Sequence, residues 1–495
     1  MTSGVAPKRV LVGGTWLIAA RIVDRLVGIV SISVMARLLK PLDFGVVAIA
    51  GTVVAAVELV GTFGFDWALV RHQHPSREDL NCAWTLRVIF GLFSLIALTL
   101  LASPAAAFYR QPALKAVLIA MGASSFTASL ENIGTVYFRR EFAFHKEFLL
   151  RAVAKLIGFC VTLAVALAYR SYWALIAGVF ALRSAVVGMS YLMHPFRPRP
   201  SLKNARELFG FSFWILFGNV IEYCRERFSD LYIARVYGAA TNGLFAVAGE
   251  ISIVPITEVA APINRAAYSK YAEDFRANRA LGPSYVSIAS MIWMISLPMA
   301  VGIVAVAPEI IRLLLGPRWQ GAQIVLQWLA VGAAFTVMVA NTHYVYWALG
   351  HTRAVAGLST AGAAMVIPAT IVCSHLAGYA GVAFAFALAS ALLVPINFVV
   401  LRRLSGIGFG ELWLRVWRII LGTAAMGVVL RLVFGASVAV DVKAALLALV
   451  AKMVSGAITY TAVVAIAWLA CGRPPGPERA VAELLVRSAG RWTRR

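Results

Sequence analysis

Long apolar runs separated by short polar connections dominate the hydrophobic pattern of this chain. Runs of about 18 or more mostly apolar residues are typical of helices that cross a membrane. The longest polar connection, near residues 263–283, is too short for a soluble domain. The predicted fold is therefore an all-α polytopic membrane protein. About fourteen spans are predicted, at residues 10–38, 42–69, 82–103, 113–137, 148–169, 172–194, 209–236, 240–262, 284–306, 322–348, 354–376, 379–401, 417–436 and 443–470.

The first span carries three charges near its centre. Arg21, Asp24, Arg25 and Gly28 follow i, i+3, i+4, i+7 spacing and therefore share one helix face. Each such charge costs about 2.5–3.5 kcal/mol at the bilayer centre, whereas each Val, Leu or Ile returns only about 0.3–0.6 kcal/mol. This face must therefore lie against other helices or a water-filled cavity.

Other spans of the first half also contain charged residues. The seventh span has a broad polar face, with Arg227 lying off it, formed by Glu222, Arg225, Glu226, Ser229 and Asp230. Earlier spans contribute Glu58, Asp66, Arg87, Glu131, Lys155 and Arg183. Two interpretations stay open: ion pairs that hold helices together, or a solvated central cavity with a cationic patch. A cationic cavity favours an anionic substrate, because guanidinium groups match phosphate oxygens.

These charges supply the candidate site. The candidate substrate-binding residues are Arg21, Asp24, Arg25, Arg87, Lys155, Arg183 and Arg225. The candidate coupling-ion residues are Glu222, Glu226 and Asp230. No metal site or cofactor is predicted, because the five cysteines are scattered and form no C-x-x-C pair. No nucleotide-binding or hydrolase motif is present, so the chain is predicted not to be an enzyme.

Basic residues predict the orientation in the membrane. Alternate loops, counted from the N-terminus, hold 26 of the Lys and Arg residues, whereas the opposite loops hold 10. The positive-inside rule therefore places both termini in the cytoplasm. It also explains most of the formal net charge of +23 without nucleic acid as a partner. The basic tail that ends at Arg495 is a candidate contact for membrane lipids.

The two halves of the chain repeat each other at an offset of 198 residues. The segment "ARLLKPLDFGVVAIAG", from Ala36, aligns with "ARVYGAATNGLFAVAG", from Ala234. Two six-helix lobes, at 1–200 and 201–405, are predicted around a central cavity, followed by two further helices and the tail at 406–495. Within the motif, Pro41 is expected to end the first helix, Asp43 to cap the second, and Gly45 to allow close approach.

Four motifs, in order, resemble the polysaccharide transporter family of the multidrug/oligosaccharidyl-lipid/polysaccharide exporter superfamily. They are "ARLLKPLDFGVVAIA" from Ala36, "DLYIARVYGAATNGLFAVA" from Asp230, "PINRAAYSKYAED" from Pro262 and "LLLGPRWQGAQIVLQWLA" from Leu313. The chain is most similar to the Wzx-type branch. The resemblance implies a flippase that moves undecaprenyl-pyrophosphate-linked oligosaccharide across the bacterial inner membrane by alternating access. It implies a role in exopolysaccharide or lipopolysaccharide synthesis, with polysaccharide polymerase machinery as a further candidate partner.

Two other functions stay open at this stage. The first is a cation-coupled multidrug exporter of the same superfamily, which fourteen spans and a basic first lobe disfavour. The second is a membrane-embedded glycosyl polymerase or ligase, which the short external loops disfavour.

Overall fold

The computed structural model describes residue 25 and residues 27–61, 76–140, 143–203, 213–435, 441–479 and 483. Arg21, Asp24, Asp66 and the tail after residue 483 lie outside the described residues. In the first half the main helices are α1 Val27–Leu38, α2 Pro41–Gly61, α3 Arg77–Phe108, α4 Ala113–Ser129, α5 Phe144–Tyr169, α6 Trp173–Met193, α7 Phe213–Val236 and α8 Gly238–Arg276. They continue with α9 Leu281–Ile310, α10 Ala322–Ala348, α11 and α12 within Thr352–Ser405, α13 Phe409–Phe434 and α14 Val442–Ala470.

The helices confirm the predicted all-helical membrane fold. Among the described residues, 10 helices are long and apolar enough to cross a membrane, and α1 and α4 are shorter apolar helices. The exact count of fourteen spans stays a prediction. The stretch Thr352–Ser405 breaks at Ala377 and Gly378, between the predicted spans 354–376 and 379–401. Gly378 has φ +62°, a conformation that glycine adopts at little cost.

The chain divides into two compact units, Met1–Ala246 and Val247–Arg495. In the first unit α5 packs along α6, α3 packs along α4, and α4 also contacts α2 and α6. Val54, Leu98 and Leu118 belong to one buried apolar cluster of this unit. The predicted division into lobes at residues 200 and 405 stays a prediction.

The repeated motif forms a close helix crossing within the first unit. A Cβ atom added at Gly45 would overlap the carbonyl oxygen of Ala239, and one added at Gly243 would overlap that of Pro41. Both pairs of equivalent positions, 41 with 239 and 45 with 243, are 198 residues apart. The contact is therefore reciprocal, and the predicted close approach at Gly45 is confirmed.

The helix start at Pro41 differs in detail from the prediction. α1 ends at Leu38, and Pro41 is the first residue of α2, where its missing N–H costs nothing. Asp43 caps α2 from inside its first turn, because its Oδ2 accepts from the backbone N–H of Lys40 at 2.9 Å. Its Oδ1 accepts from the backbone N–H of Tyr172 at 3.1 Å, which links α2 to the start of α6.

The second unit has a large buried core between α9, α10, α12 and α13. Tyr285 and Tyr346 are completely buried there. The Tyr346 hydroxyl donates to Oδ1 of Asn397 at 2.7 Å. α13 packs along α14, and both helices contact α9.

Candidate functional site

The first candidate group lies at the start of the described structure. Arg21 and Asp24 fall outside the described residues, so the predicted charged face of the first span stays a prediction. Arg25 is helical and half-buried, shortly before α1.

Arg183 forms a three-residue polar cluster with Ser125 and Glu58. Nη1 of Arg183, on α6, donates to Oγ of Ser125, on α4, at 2.7 Å. The same hydroxyl donates to Oε1 of Glu58, on α2, at 2.6 Å. Arg183 Nη1 and Glu58 Oε1 lie 3.5 Å apart, and the two side chains are 24% and 38% exposed. The cluster thus joins three helices while both charged side chains stay partly exposed.

Arg87 pairs with Glu131. Nη2 of Arg87, on α3, donates to Oε2 of Glu131 at 2.8 Å and to the backbone carbonyl of Ala128 at 3.4 Å. Ala128 lies in the last turn of α4, whose final carbonyls have no partner within the helix. A third of the Arg87 side chain remains exposed.

The charges of α7 pair mainly along the helix. Arg225 donates to both carboxylate oxygens of Glu222 and lies 3.8 Å from Oε1 of Glu226. Arg227 donates to Oδ2 of Asp230 at 3.1 Å. The Arg225–Glu222 and Arg227–Asp230 pairs are three residues apart, a spacing that brings side chains together on a helix surface. The side chains of Glu226 and Arg227 are at least half exposed.

These contacts bear on both interpretations of the charged residues. Each of Arg87, Arg183 and Arg225 has a carboxylate partner, as the ion-pair interpretation predicts. Each also keeps about a quarter to a third of its side chain exposed, as a solvated site requires. Lys155, on α5, is half-buried. The candidate substrate-binding and coupling-ion roles therefore stay predictions, with carboxylate partners defined for Arg87, Arg183 and Arg225.

The second unit contains ion pairs of a different kind. Lys452, on α14, donates to Oε1 of Glu309 at 2.6 Å and to the carbonyl of Ala305 at 3.2 Å. Arg418, on α13, donates to Oε1 of Glu478 at 2.8 Å. All four charged side chains are at most 5% exposed. Arg418, at the start of the predicted span 417–436, is thus buried within α13 and has Glu478 as its partner.

Sequence reasoning missed the hydroxyl that joins two of the charges. Ser125 lies in the run "MGASSFTAS", where small polar residues are common in membrane helices. Nothing in that run distinguishes Ser125 from Ser124. Only the packing of α2, α4 and α6 selects it. In the described part of the chain, no group of three His, Cys, Asp or Glu residues could hold a metal ion.

A family model described as "polysaccharide biosynthesis protein" matches residues 34–325, more than half of the chain. The chain belongs to this family. The predicted family resemblance is thereby confirmed. The match includes Arg87, Lys155, Arg183 and the charged residues of α7, but not Arg25.

The similarity to individual proteins extends over more of the chain than the family model does. The chain is 21% identical over 416 residues to the lipopolysaccharide biosynthesis protein WzxC of Escherichia coli (strain K12), covering 83% of this chain and 84% of that protein. It is 24% identical over 338 residues to the succinoglycan biosynthesis transport protein ExoT of Rhizobium meliloti (strain 1021), covering 67% of each chain.

Solved structures show the same fold. A structure of the lipid II flippase MurJ in an inward closed conformation matches with a TM-score of 0.73 at 14% identity, covering 94% of this chain and 100% of that one. An inward-facing multidrug resistance MATE family transporter of the MOP superfamily matches with a TM-score of 0.56 at 17% identity, covering 80% of this chain and 95% of that one. This member of the polysaccharide biosynthesis family therefore has the fold of polytopic helical transporters.

Proposed function

We propose that this protein is a flippase that translocates lipid-linked oligosaccharides across the bacterial inner membrane for exopolysaccharide or lipopolysaccharide synthesis. It acts as a transporter and not as an enzyme, and its substrate carries an undecaprenyl pyrophosphate anchor. The observation that carries this proposal is the presence of partly exposed, paired arginines within the helices of a polysaccharide biosynthesis protein.

The relatives support the class of substrate. WzxC and ExoT are named for lipopolysaccharide biosynthesis and for succinoglycan biosynthesis transport. MurJ, whose fold extends over almost the whole chain, is named as a lipid II flippase. A saccharide attached to a membrane lipid is the substrate class that fits these names together.

The charged residues fit the chemistry of a lipid pyrophosphate. A pyrophosphate brings several negative charges into a region where water is scarce, so it needs fixed cations. Arginine side chains bind phosphate oxygens through two parallel N–H groups, and they stay charged in proteins. We assign this role to Arg21, Arg25, Arg87, Lys155, Arg183 and Arg225, with Asp24 orienting an arginine. Glu222, Glu226 and Asp230 are the candidates for a coupling cation.

The transport cycle would be alternating access between two lobes. The 198-residue repeat and the reciprocal Gly45–Gly243 crossing support related halves. The excess of basic residues in alternate loops supports cytoplasmic termini. Substrate would then enter from the cytoplasmic leaflet, where lipid-linked repeat units are built, and leave towards the polymerase machinery.

A multidrug exporter is the second candidate, because a MATE transporter shares the fold. One reconstitution experiment tests both functions. Purified protein in liposomes is given a fluorescent short-chain pyrophosphate-linked oligosaccharide in one assay and ethidium in another. We expect flipping of the lipid-linked sugar without ethidium transport. Ethidium transport without sugar flipping would contradict the proposed function.

The role of the first helix has its own test. Arg25→Ala should leave the protein in the membrane and abolish flipping, and Arg25→Lys should retain part of it, since the charge survives without the guanidinium fork. If the arginine is only structural, Arg25→Ala should instead lower protein abundance. Normal flipping by a well-expressed Arg21→Ala, Arg25→Ala variant would exclude these residues from the site.

A further inference from the structure

The Glu58–Ser125–Arg183 cluster is self-contained. In the part of the chain that the structure describes, these three side chains make their polar contacts with one another. The Ser125 hydroxyl accepts a hydrogen bond from Arg183 and donates one to Glu58, so it bridges the guanidinium and the carboxylate. Tyr223, from α7, donates to the backbone carbonyl of Thr52 instead, well over one helical turn from Glu58.

The guanidinium of Arg183 has donors to spare. Arginine has five N–H groups, and the contacts within the cluster use Nη1 alone. The other nitrogens are not among the buried polar atoms that lack a partner, and the side chain is 24% exposed. Arg183 can therefore bind a second anion without leaving Ser125.

The carboxylate can also separate from the arginine at low cost. Glu58 Oε1 lies 3.5 Å from Arg183 Nη1, a longer contact than the hydrogen bond from Ser125. With 38% of its side chain exposed, Glu58 is not enclosed by the protein, so the arginine can turn to another partner without leaving a fully buried carboxylate behind. A partly exposed ion pair with a long contact contributes little to stability.

We propose that Glu58 is an internal counter-anion for Arg183, and that the pyrophosphate of the substrate takes its place. In the empty transporter the Glu58 carboxylate neutralises Arg183. In the loaded transporter a phosphate oxygen binds the guanidinium, and Glu58 retains its hydrogen bond from Ser125. This inference rests on the proposed function, because it needs a substrate with an anionic phosphate group.

The exchange of partners has a consequence for the transport cycle. A flippase that moves substrate in one direction must return to its starting conformation without substrate. An arginine left unpaired in an occluded conformation would raise the free energy of that return step. Glu58 removes that cost on the return step. One-for-one exchange of substrate across the membrane needs no empty return, so it does not depend on Glu58.

The test compares Glu58→Gln with the unmutated protein. Glutamine keeps the size of the side chain and accepts the Ser125 hydrogen bond, but it carries no charge. Binding of farnesyl pyrophosphate to the purified protein should tighten roughly two- to fivefold, because a competing anion of modest strength is gone. In liposomes, net flipping of a short-chain pyrophosphate-linked oligosaccharide should fall, while exchange of labelled for unlabelled substrate should persist.

The matched control is Glu78→Gln. Glu78 lies at the exposed start of α3, and its carboxylate pairs with Lys203 at 3.0 Å. This substitution should leave binding, net flipping and exchange unchanged. Arg183→Gln should weaken farnesyl pyrophosphate binding. If Glu58→Gln does not fold, Glu58→Asp serves as the second variant. It keeps the negative charge on a shorter side chain, so it should retain more net flipping than a variant without the charge.

The outcomes separate the two proposals. Equal loss of net flipping and exchange, or weaker farnesyl pyrophosphate binding, in folded Glu58→Gln would overturn the counter-anion role. If the unmutated protein moves no lipid-linked sugar, the proposed function is wrong. In that case the binding comparison still decides whether Glu58 competes with phosphate for Arg183.

Discussion

The Arg87–Glu131 pair of the first unit and two ion pairs of the second unit differ in burial far more than in length. In the first unit, the Arg87–Glu131 contact of 2.8 Å leaves the side chains 33% and 12% exposed. In the second, Lys452–Glu309 at 2.6 Å and Arg418–Glu478 at 2.8 Å are almost completely buried. Among the described residues, Oε2 of Glu309, Nη2 of Arg418 and Oε2 of Glu478 are buried without a hydrogen-bond partner.

This difference indicates different roles for the same chemistry. A buried charge that loses its partner cannot turn to water, so a buried pair is costly to break. Such pairs fix α13 and α14 in place within the second unit. A partly exposed pair can exchange its partner at a lower cost, which is the property that a ligand-binding site needs. The following predictions test this contrast, beginning with the largest expected effect on stability.

Removing one partner of a buried pair should have the largest effect. Lys452→Ala leaves Glu309 charged and unpaired, so the free energy of unfolding should fall by about 3–5 kcal/mol. The measurement is thermal and denaturant unfolding of the purified protein in detergent. Lys443→Ala, an exposed lysine at the start of the same helix, should leave stability unchanged.

A double replacement sharpens this prediction. Glu309→Leu with Lys452→Leu removes both charges and should recover most of the lost stability, since apolar pairs of similar size replace buried ion pairs well. If Lys452→Ala unfolds at the same temperature as the unmutated protein, the buried pair does not hold α14.

Filling the helix crossing should have the next largest effect. Gly45→Ala places a methyl group against the Ala239 carbonyl, so stability should fall by about 1–3 kcal/mol. Gly51→Ala is the matched control, because a Cβ there meets nothing within 4 Å and lies on the same helix. Equal unfolding temperatures for the two variants would show that α2 and α8 leave room for a methyl group at Gly45.

Breaking a half-exposed pair should affect transport more than stability. Arg87→Ala should lower the free energy of unfolding by less than Lys452→Ala does, because Arg87 is a third exposed, and it should abolish most flipping of the lipid-linked sugar. Arg151→Ala removes a more exposed arginine that lies 3.8 Å from Glu147, and it should leave flipping intact. A large loss of stability with normal flipping in Arg87→Ala would assign this pair to structure.

The smallest effect on stability is expected at Glu226. Its side chain is 59% exposed and lies 3.8 Å from Arg225, which keeps Glu222 as its main partner. Glu226→Gln should therefore change the free energy of unfolding by less than about 0.5 kcal/mol. Flipping measured with and without a sodium or proton gradient tests the coupling-ion role. Unchanged gradient dependence would remove Glu226 from that role.

Several features of this protein follow from local sequence alone. Apolar runs of membrane-spanning length predicted the helical fold, because in lipid the backbone must form its hydrogen bonds within the helix. The predicted gap between spans 354–376 and 379–401 coincides with the break at Gly378, which has a positive φ. Gly45 was predictable as a contact point because its equivalent recurs 198 residues later.

The partners of the charged residues were decided only by the tertiary structure. Glu58 and Arg183 are 125 residues apart, and Glu309 and Lys452 are 143 residues apart. Sequence showed that each charge needs a partner or water, since an isolated charge in an apolar span is costly. It could not show which partner, or whether water also reaches the pair, because burial depends on how whole helices pack. Arg418 is an example, because its partner Glu478 lies 60 residues further along the chain, beyond the end of α14.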